Sequence, residues 1–95
     1  MKFEWDANKN NSNLAKHGFS FADAYLVFRF PMLVRLDKRS NYGEARWIGI
    51  GLLRQRTVVV IYTEPSDNTA CIISLRKALT HERRRYERYL EDRLE

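Results

Sequence analysis

Arg76 and Lys77 follow the apolar run Cys71-Ile72-Ile73-Ser74-Leu75 and stand where it gives way to a polar, helix-prone segment. An apolar run of that length suits a strand buried on both faces near the centre of a sheet. Two fixed cations at the end of a rigid strand form an anion site, and the planar fork of an arginine matches phosphate oxygens. Arg76 paired with a carboxylate at a helix start is an equally good reading, and for Lys77 simple solvation is the favoured one. His17 is the residue type whose charge changes near neutral pH, which suits an acid or base. Its position before Gly18, at a helix end, also suits plain complementation of the helix dipole, and that reading is stronger. His81 is a weaker candidate. Two distant histidines and one cysteine give no metal-ligand spacing, so no metal and no cofactor is expected.

A second basic cluster, Arg83-Arg84-Arg85 with Arg88, could track a phosphate backbone, with Tyr86 and Tyr89 stacking on bases. The favoured alternative is a solvated helix face in which Glu82, Glu87 and Glu91 pair with those arginines. The whole chain of 95 residues carries 17 Lys and Arg against 12 Asp and Glu, a net charge of +5. That balance favours a polyanionic partner, though weakly taken alone. With 44% hydrophobic residues the chain can build one small core, so a single domain over residues 1–95 is expected. Cys71 is the only cysteine, which excludes an intrachain disulfide and a thiolate metal cluster; Cys71 itself reads as a buried strand residue. The first residues lack an apolar signal core and no apolar run reaches membrane-span length, so a cytoplasmic protein without membrane contact is expected.

The elements that must position these groups follow in order. Phe3 and Trp5 alternate with polar residues, as in a short edge strand or an aromatic lid. Asp6 caps a polar helix over Ala7 to His17, which Gly18 ends and in which Leu14 and Ala15 are the apolar residues to bury. Ser20 opens a second helix, with Asp23 in the capping-box position, and Pro31 stops it. Strands are expected over Met32–Leu36, Glu44–Leu52, Thr57–Thr63 and Thr69–Leu75. Between them lie a loop at Asp37–Gly43 and turns at Arg54-Gln55-Arg56 and Pro65-Ser66-Asp67-Asn68. Thr80 caps a last helix from His81 to about Leu94, with Tyr86, Leu90 and Leu94 as its packed stripe. The result is an α+β fold: two N-terminal helices, a four-stranded mainly antiparallel sheet and a C-terminal helix. Helices cover one sheet face, and the other wants a cover or a partner.

Several blocks together resemble the BrnT toxins. Phe3-Glu4-Trp5-Asp6, Lys9, Asn13, Lys16-His17-Gly18 and Ser20-Phe21 with Ala24 and Val27-Phe28 resemble the opening of that family. Glu44-Ala45-Arg46, Ile48-Gly49-Ile50-Gly51, Tyr62-Thr63-Glu64, Ile72 to Ala78, and Glu82-Arg83 with Tyr86 resemble its later blocks. The likeness spans about nine-tenths of the chain in matching order. It implies a RelE-like fold and the toxin of a bacterial type II toxin–antitoxin pair that cleaves RNA to arrest growth. It also implies a BrnA-like antitoxin with a ribbon-helix-helix part, a dimeric toxin–antitoxin assembly, and contact with operator DNA only through that antitoxin.

RNA can be cut without a metal when its 2′-hydroxyl attacks the adjacent phosphorus and a 5′-hydroxyl leaves. That requires a base, an acid and cations for the charge developing on phosphate. Arg76 is the first candidate cation. Arg46 is the second, on a strand that the resemblance brings near the site; an ion pair with Glu44 or a neighbour is slightly favoured on residues alone. Glu44 and Glu64, at strand ends, are candidate bases beside His17, although a single exposed glutamate is usually only solvated. Lys16, Lys77, Arg54 and Arg83 are the expected RNA contacts. Two positions depart from the family pattern: Pro65 and Cys71 stand where many members carry arginine. An RNA-cleaving toxin is therefore the leading reading, and a toxin-fold module that binds antitoxin or RNA without cutting is the alternative.

Overall fold

The computed structural model describes residues 1–94. Along the chain come β1 (Lys2–Trp5), α1 (Ala7–His17), a 3-10 turn (Phe21–Asp23) leading into α2 (Ala24–Val27), β2 (Leu33–Leu36), β3 (Trp47–Leu53), β4 (Arg56–Ser66), β5 (Thr69–Lys77) and α3 (Thr80–Leu94). The strands form one five-stranded sheet in the order β1-β5-β4-β3-β2. β1 runs parallel to β5, and every other pair is antiparallel.

This corrects the expected four-stranded sheet. Phe3 and Trp5 belong to a fifth strand, whose partner β5 lies more than sixty residues away, for example Phe3 opposite Ala70. Short turns reveal hairpins, whereas a parallel pair joined by a long connection leaves no local signal. Three boundaries also differ. The strand expected from Glu44 starts at Trp47, because its partner β2 ends at Leu36, opposite Trp47. Pro65 and Ser66 lie within β4, and the turn shrinks to Asp67-Asn68; the ladder is irregular between Thr63 and Ser66, where a proline is tolerated. The second helix is only a 3-10 turn and one α-helical turn, far short of Pro31.

Alternation along β4 divides the interior in two. Val58, Val60 and Tyr62 join Phe21, Ala24, Val27, Ile72 and Leu75 on one face. Val59 and Ile61 join Ile48, Ile50 and Tyr86 on the other. The face expected to want a cover is thus covered in part by α3. Gly51 lets α2 approach the sheet: a Cβ there would lie 2.8 Å from Val27 Cγ1 and 3.1 Å from Met32 Cγ.

α1 docks differently from expectation. Leu14 is 46% exposed and Ala15 is exposed, while Asn13 is buried. The Asn13 amide donates to Leu75 O (2.8 Å) and to Phe19 O (3.1 Å), and accepts from Leu75 N–H (3.2 Å). Past Trp5, where β1 ends, one side chain therefore satisfies both main-chain groups of a β5 residue as a neighbouring strand would. Asn10 Oδ1 accepts from Phe21 N–H (2.8 Å) and ties α1 to the next turn. The expected ends of α1 are observed: Asp6 accepts from Lys9 N–H, and Gly18 sits at φ 78°.

At α3 the first intrahelical bond runs from Arg83 N–H to Leu79 O, so Leu79, one residue before Thr80, is the cap. Glu82 reaches back to Leu79 N–H (2.8 Å), which is half of a capping box. The packed stripe holds for Tyr86 and Leu90 but not for Leu94, which is 88% exposed. The Tyr86 hydroxyl donates to Pro31 O at 2.7 Å.

Candidate nucleic-acid interface

The β3–β4 hairpin turns through Arg54 and Gln55, both with positive φ (48° and 73°). Two left-handed residues in a two-residue loop match strand twist, but side chains other than Gly and Asn reach that backbone at roughly 1 kcal/mol or more each. The strained loop holds Arg54 and Arg56 out at one end of the sheet, next to residues that close α1. Gly18, Phe19, Asp23, Leu53, Arg54 and Arg56 line one concavity there. Arg56 also belongs to a second, shared with Thr57, Lys77, Ala78 and Arg83. A third runs along α1 past Asn13 to Lys16, His17 and Ile73, and His17 is adjacent in the chain to Gly18 of the first. The end of α1, the hairpin, the end of β5 and the first turn of α3 thus form one continuous basic surface.

Within it, Lys16, Arg54, Arg56, Lys77 and Arg83 are exposed and His17 is half-buried. Arg54, exposed, meets the half-buried Asp23 at 3.5 Å. Arg76 is the exception. Its fork is spent on Glu82, Nη1 to Oε1 at 2.8 Å and Nη2 to Oε2 at 2.9 Å, and Nη1 also donates to Lys77 O at 3.2 Å. The Glu82 carboxyl is lowered to about 2, first by the Arg76 guanidinium and then by the Leu79 N–H, against the opposing effect of burial. This is the pair with a carboxylate at a helix start that the sequence left as the even alternative for Arg76.

The opposite end of the sheet holds Arg46 and Glu44. Arg46 precedes β3 and is not central on a strand; its main-chain oxygen accepts from Asp37 N–H at 2.8 Å. Its guanidinium lies 3.9 Å from the Tyr42 ring centre, a cation–π contact, and its buried Nε has no protein partner. No ion pair joins it to Glu44, which is exposed. Trp47, the next residue, pairs with Tyr62, whereas Arg76 pairs with Val59, three residues back along β4. Arg46 and Arg76 are therefore separated by two strand spacings across the sheet and by roughly 13 Å along it, at about 3.3 Å per residue. Beside Arg46 the buried Asp37 carboxylate takes both Arg39 Nε and Nη2 at 2.8 Å and the Tyr42 hydroxyl at 3.3 Å. The Arg39 hydrogen bonds hold the Asp37 carboxyl far below the usual carboxylate range.

Of the residues singled out from the sequence, the fold gathers Lys16, His17, Arg54, Arg76, Lys77 and Arg83 at one end and leaves Arg46, Glu44 and Glu64 apart. Tyr86 is buried and unavailable for stacking on bases, while Tyr89 is half-buried against it. Cys71 is half-buried on β5. Two contributors were missed. Arg56 carried a signal, a basic residue closing a two-residue hairpin. Asn13 entered only through the family resemblance, since an asparagine that completes a sheet edge otherwise looks like any polar helix residue. Among the described residues no three His, Cys, Asp or Glu come together as a metal site, and no helix is long and apolar enough to cross a membrane.

Residues 5–82 match the family described as ribonuclease toxin, BrnT, of type II toxin–antitoxin system. Among solved structures, that of the Brucella abortus ribonuclease toxin BrnT is similar, with a TM-score of 0.69 and 32% identity over 84% of this chain and 99% of that one. No curated protein matches the chain.

Proposed function

The chain belongs to the BrnT family of ribonuclease toxins of type II toxin–antitoxin systems, and from that premise we propose that it cleaves RNA bound across the basic end of its sheet. The observation that carries this reading is the convergence there of five exposed cations and one histidine from four separate elements. Lys16, Arg54, Arg56, Lys77 and Arg83 contact phosphates. His17 exchanges a proton with the 2′-hydroxyl or with the departing 5′-oxygen. The cleavage is metal-independent: the 2′-oxygen bonds to phosphorus, the P–O5′ bond breaks, and the developing negative charge is met by the fixed cations. Arg76 is a positioning residue in this scheme, since it holds Glu82 and with it the start of α3 beside Lys77. Arg46, Glu44 and Glu64 stand outside it. A BrnA-like antitoxin with a ribbon-helix-helix part neutralises the toxin in a dimeric assembly and supplies the contact with operator DNA.

End-group analysis tests the chemistry. Antitoxin-free protein incubated with RNA in EDTA is expected to leave 2′,3′-cyclic phosphate and 5′-hydroxyl ends. Products with 5′-phosphate ends, or cleavage abolished by chelation, would overturn the mechanism. The commitment of Arg76 to Glu82 favours one second reading, a module that binds RNA or antitoxin without cutting; tight RNA binding with no cleavage would select it.

A further inference from the structure

The two ends of α3 follow its dipole, with Glu82 in the first turn and Arg93 in the last, but Arg83, Arg84 and Arg85 crowd its N-terminal half. Cations near a helix N-terminus are disfavoured, and like charges three or four residues apart, as in Arg84, Arg85 and Arg88, cost further stability. Glu82, the acid of the first turn, is held by Arg76. Among the described residues no ion pair involves Arg83, Arg84, Arg85 or Arg88. The solvated helix face favoured from the sequence is observed, without the acidic partners expected for its arginines among the described residues.

His81, Arg84, Arg85 and Arg88 fall at i, i+3, i+4 and i+7, a single stripe. All four are exposed and together line one concavity. The stripe points away from the packed side of the helix, which carries Tyr86 and Leu90. It runs about 10 Å at 1.5 Å per residue. Arg83, about 100° round the helix from Arg84, faces the separate concavity that it shares with Arg56 and Lys77. Arg84, Arg85 and Arg88 lie beyond the matched residues 5–82. A row of exposed cations that lines one concavity and has no ion-pair partner among the described residues suits a polyanionic partner.

We infer that this stripe is an exosite for the sugar-phosphate backbone of single-stranded RNA, extending the site at the sheet end along a longer strand. The inference rests on the proposed RNA-binding reading. Arg84, Arg85 and Arg88 neutralise phosphates flanking the segment held at the sheet end. Their contribution is independent of base sequence and sensitive to salt.

The test uses the full chain, the triple variant Arg84→Gln, Arg85→Gln, Arg88→Gln, and two fluorescent 2′-O-methyl RNA probes, a tetranucleotide and a dodecanucleotide, in a salt titration. Glutamine keeps helix propensity and relieves like-charge repulsion, so the thermal midpoint is expected to hold or rise. The triple variant should bind the tetranucleotide like wild type. Its salt slope for the dodecanucleotide should fall by roughly 2, about 0.7 for each lost phosphate contact on a single strand. An unchanged dodecanucleotide affinity and slope, with wild type still binding RNA, would overturn the exosite alone. The same result follows if affinity falls only for duplex DNA run alongside. Wild type that binds neither probe would overturn the RNA reading and the exosite with it.

Discussion

The two ends of the sheet each carry a bidentate arginine–carboxylate pair, and the pairs do different work. At one end Arg39 and Asp37 are two residues apart and close a loop on themselves, with Tyr42 hydrogen-bonded to Asp37 and stacked against Arg46. The Arg39–Asp37 pair and the Arg46–Tyr42 contact there are made within one loop, while Lys38 stays exposed. At the other end Arg76 and Glu82 join β5 to α3, and the cations around them remain exposed. One pair folds a loop, and the other fixes a helix whose first turn helps to build a basic surface. Cation count alone does not distinguish the ends; what the cations face does.

The sharpest way to break this contrast is to move the chemistry. His17→Gln is expected to slow RNA cleavage by roughly 100-fold or more, the range for losing a general acid or base, with RNA affinity within about two-fold. Glu44→Gln, at the opposite end, should leave the rate within the same two-fold. The reverse outcome would transfer the reaction to the Arg46 end.

Next in size is the support under the basic end. Asn13→Ala strips partners from Leu75 N–H and from two main-chain carbonyls. It should cost roughly 2–4 kcal/mol, and lower the thermal midpoint by about 10 °C or more for a domain of this size. A loss under about 0.5 kcal/mol would mean that α1 is held by something other than its asparagine.

Glu82→Gln tests the pair that holds α3. The carboxyl is lowered from 4.5 to about 2, so its stabilisation is complete above pH 4.5 and fades as pH falls through about 2. At about 1.4 kcal/mol per unit the upper bound is roughly 3 kcal/mol, and a loss near 2 kcal/mol is expected in denaturant unfolding at neutral pH. The gap between wild type and variant should close between pH 4.5 and about 2. A gap that widens on acidification contradicts the assignment. Arg39→Gln is the smallest change, about 1 kcal/mol or less, because Arg39 is largely exposed and Asp37 keeps the Arg39 N–H and the Tyr42 hydroxyl. A larger loss than for Glu82→Gln would reverse the ranking of the two ends.

Much of this was legible in the residues. Asp6 and Gly18 bound α1, β4 and β5 lie close to their expected places, and the α+β class holds, because caps and alternation are local signals. β1 could be read as an edge strand, which it is, or as an aromatic lid, because its partner is distant in the chain. The helix expected from Ser20 to Pro31 shrank to a few residues because its apolar run reflects burial against Gly51 and Leu53, not helical period. Arg46 was expected on a strand because Glu44-Ala45-Arg46 continues the alternation of β3, but pairing ended with its partner at Leu36. Within the candidate site, residue type nominated Lys16, Arg54, Lys77 and Arg83, which the fold gathers at one end of the sheet, yet nothing local told Arg76, which found Glu82, from Lys77, which has no ion-pair partner among the described residues.

The most direct measurement of where RNA is held and cut is single-turnover cleavage in EDTA by three antitoxin-free proteins. They are wild type, Arg56→Gln/Lys77→Gln/Arg83→Gln, and Arg39→Gln/Arg46→Gln, each checked for folding by circular dichroism. The basic end requires that the triple variant lose about 100-fold in cleavage at subsaturating RNA in 0.1 M salt, as three single-strand phosphate contacts would supply. The double variant should stay within about two-fold of wild type. Cleavage that survives in the triple variant and collapses in the double variant would place the RNA at the Arg46 end and contradict the site described above.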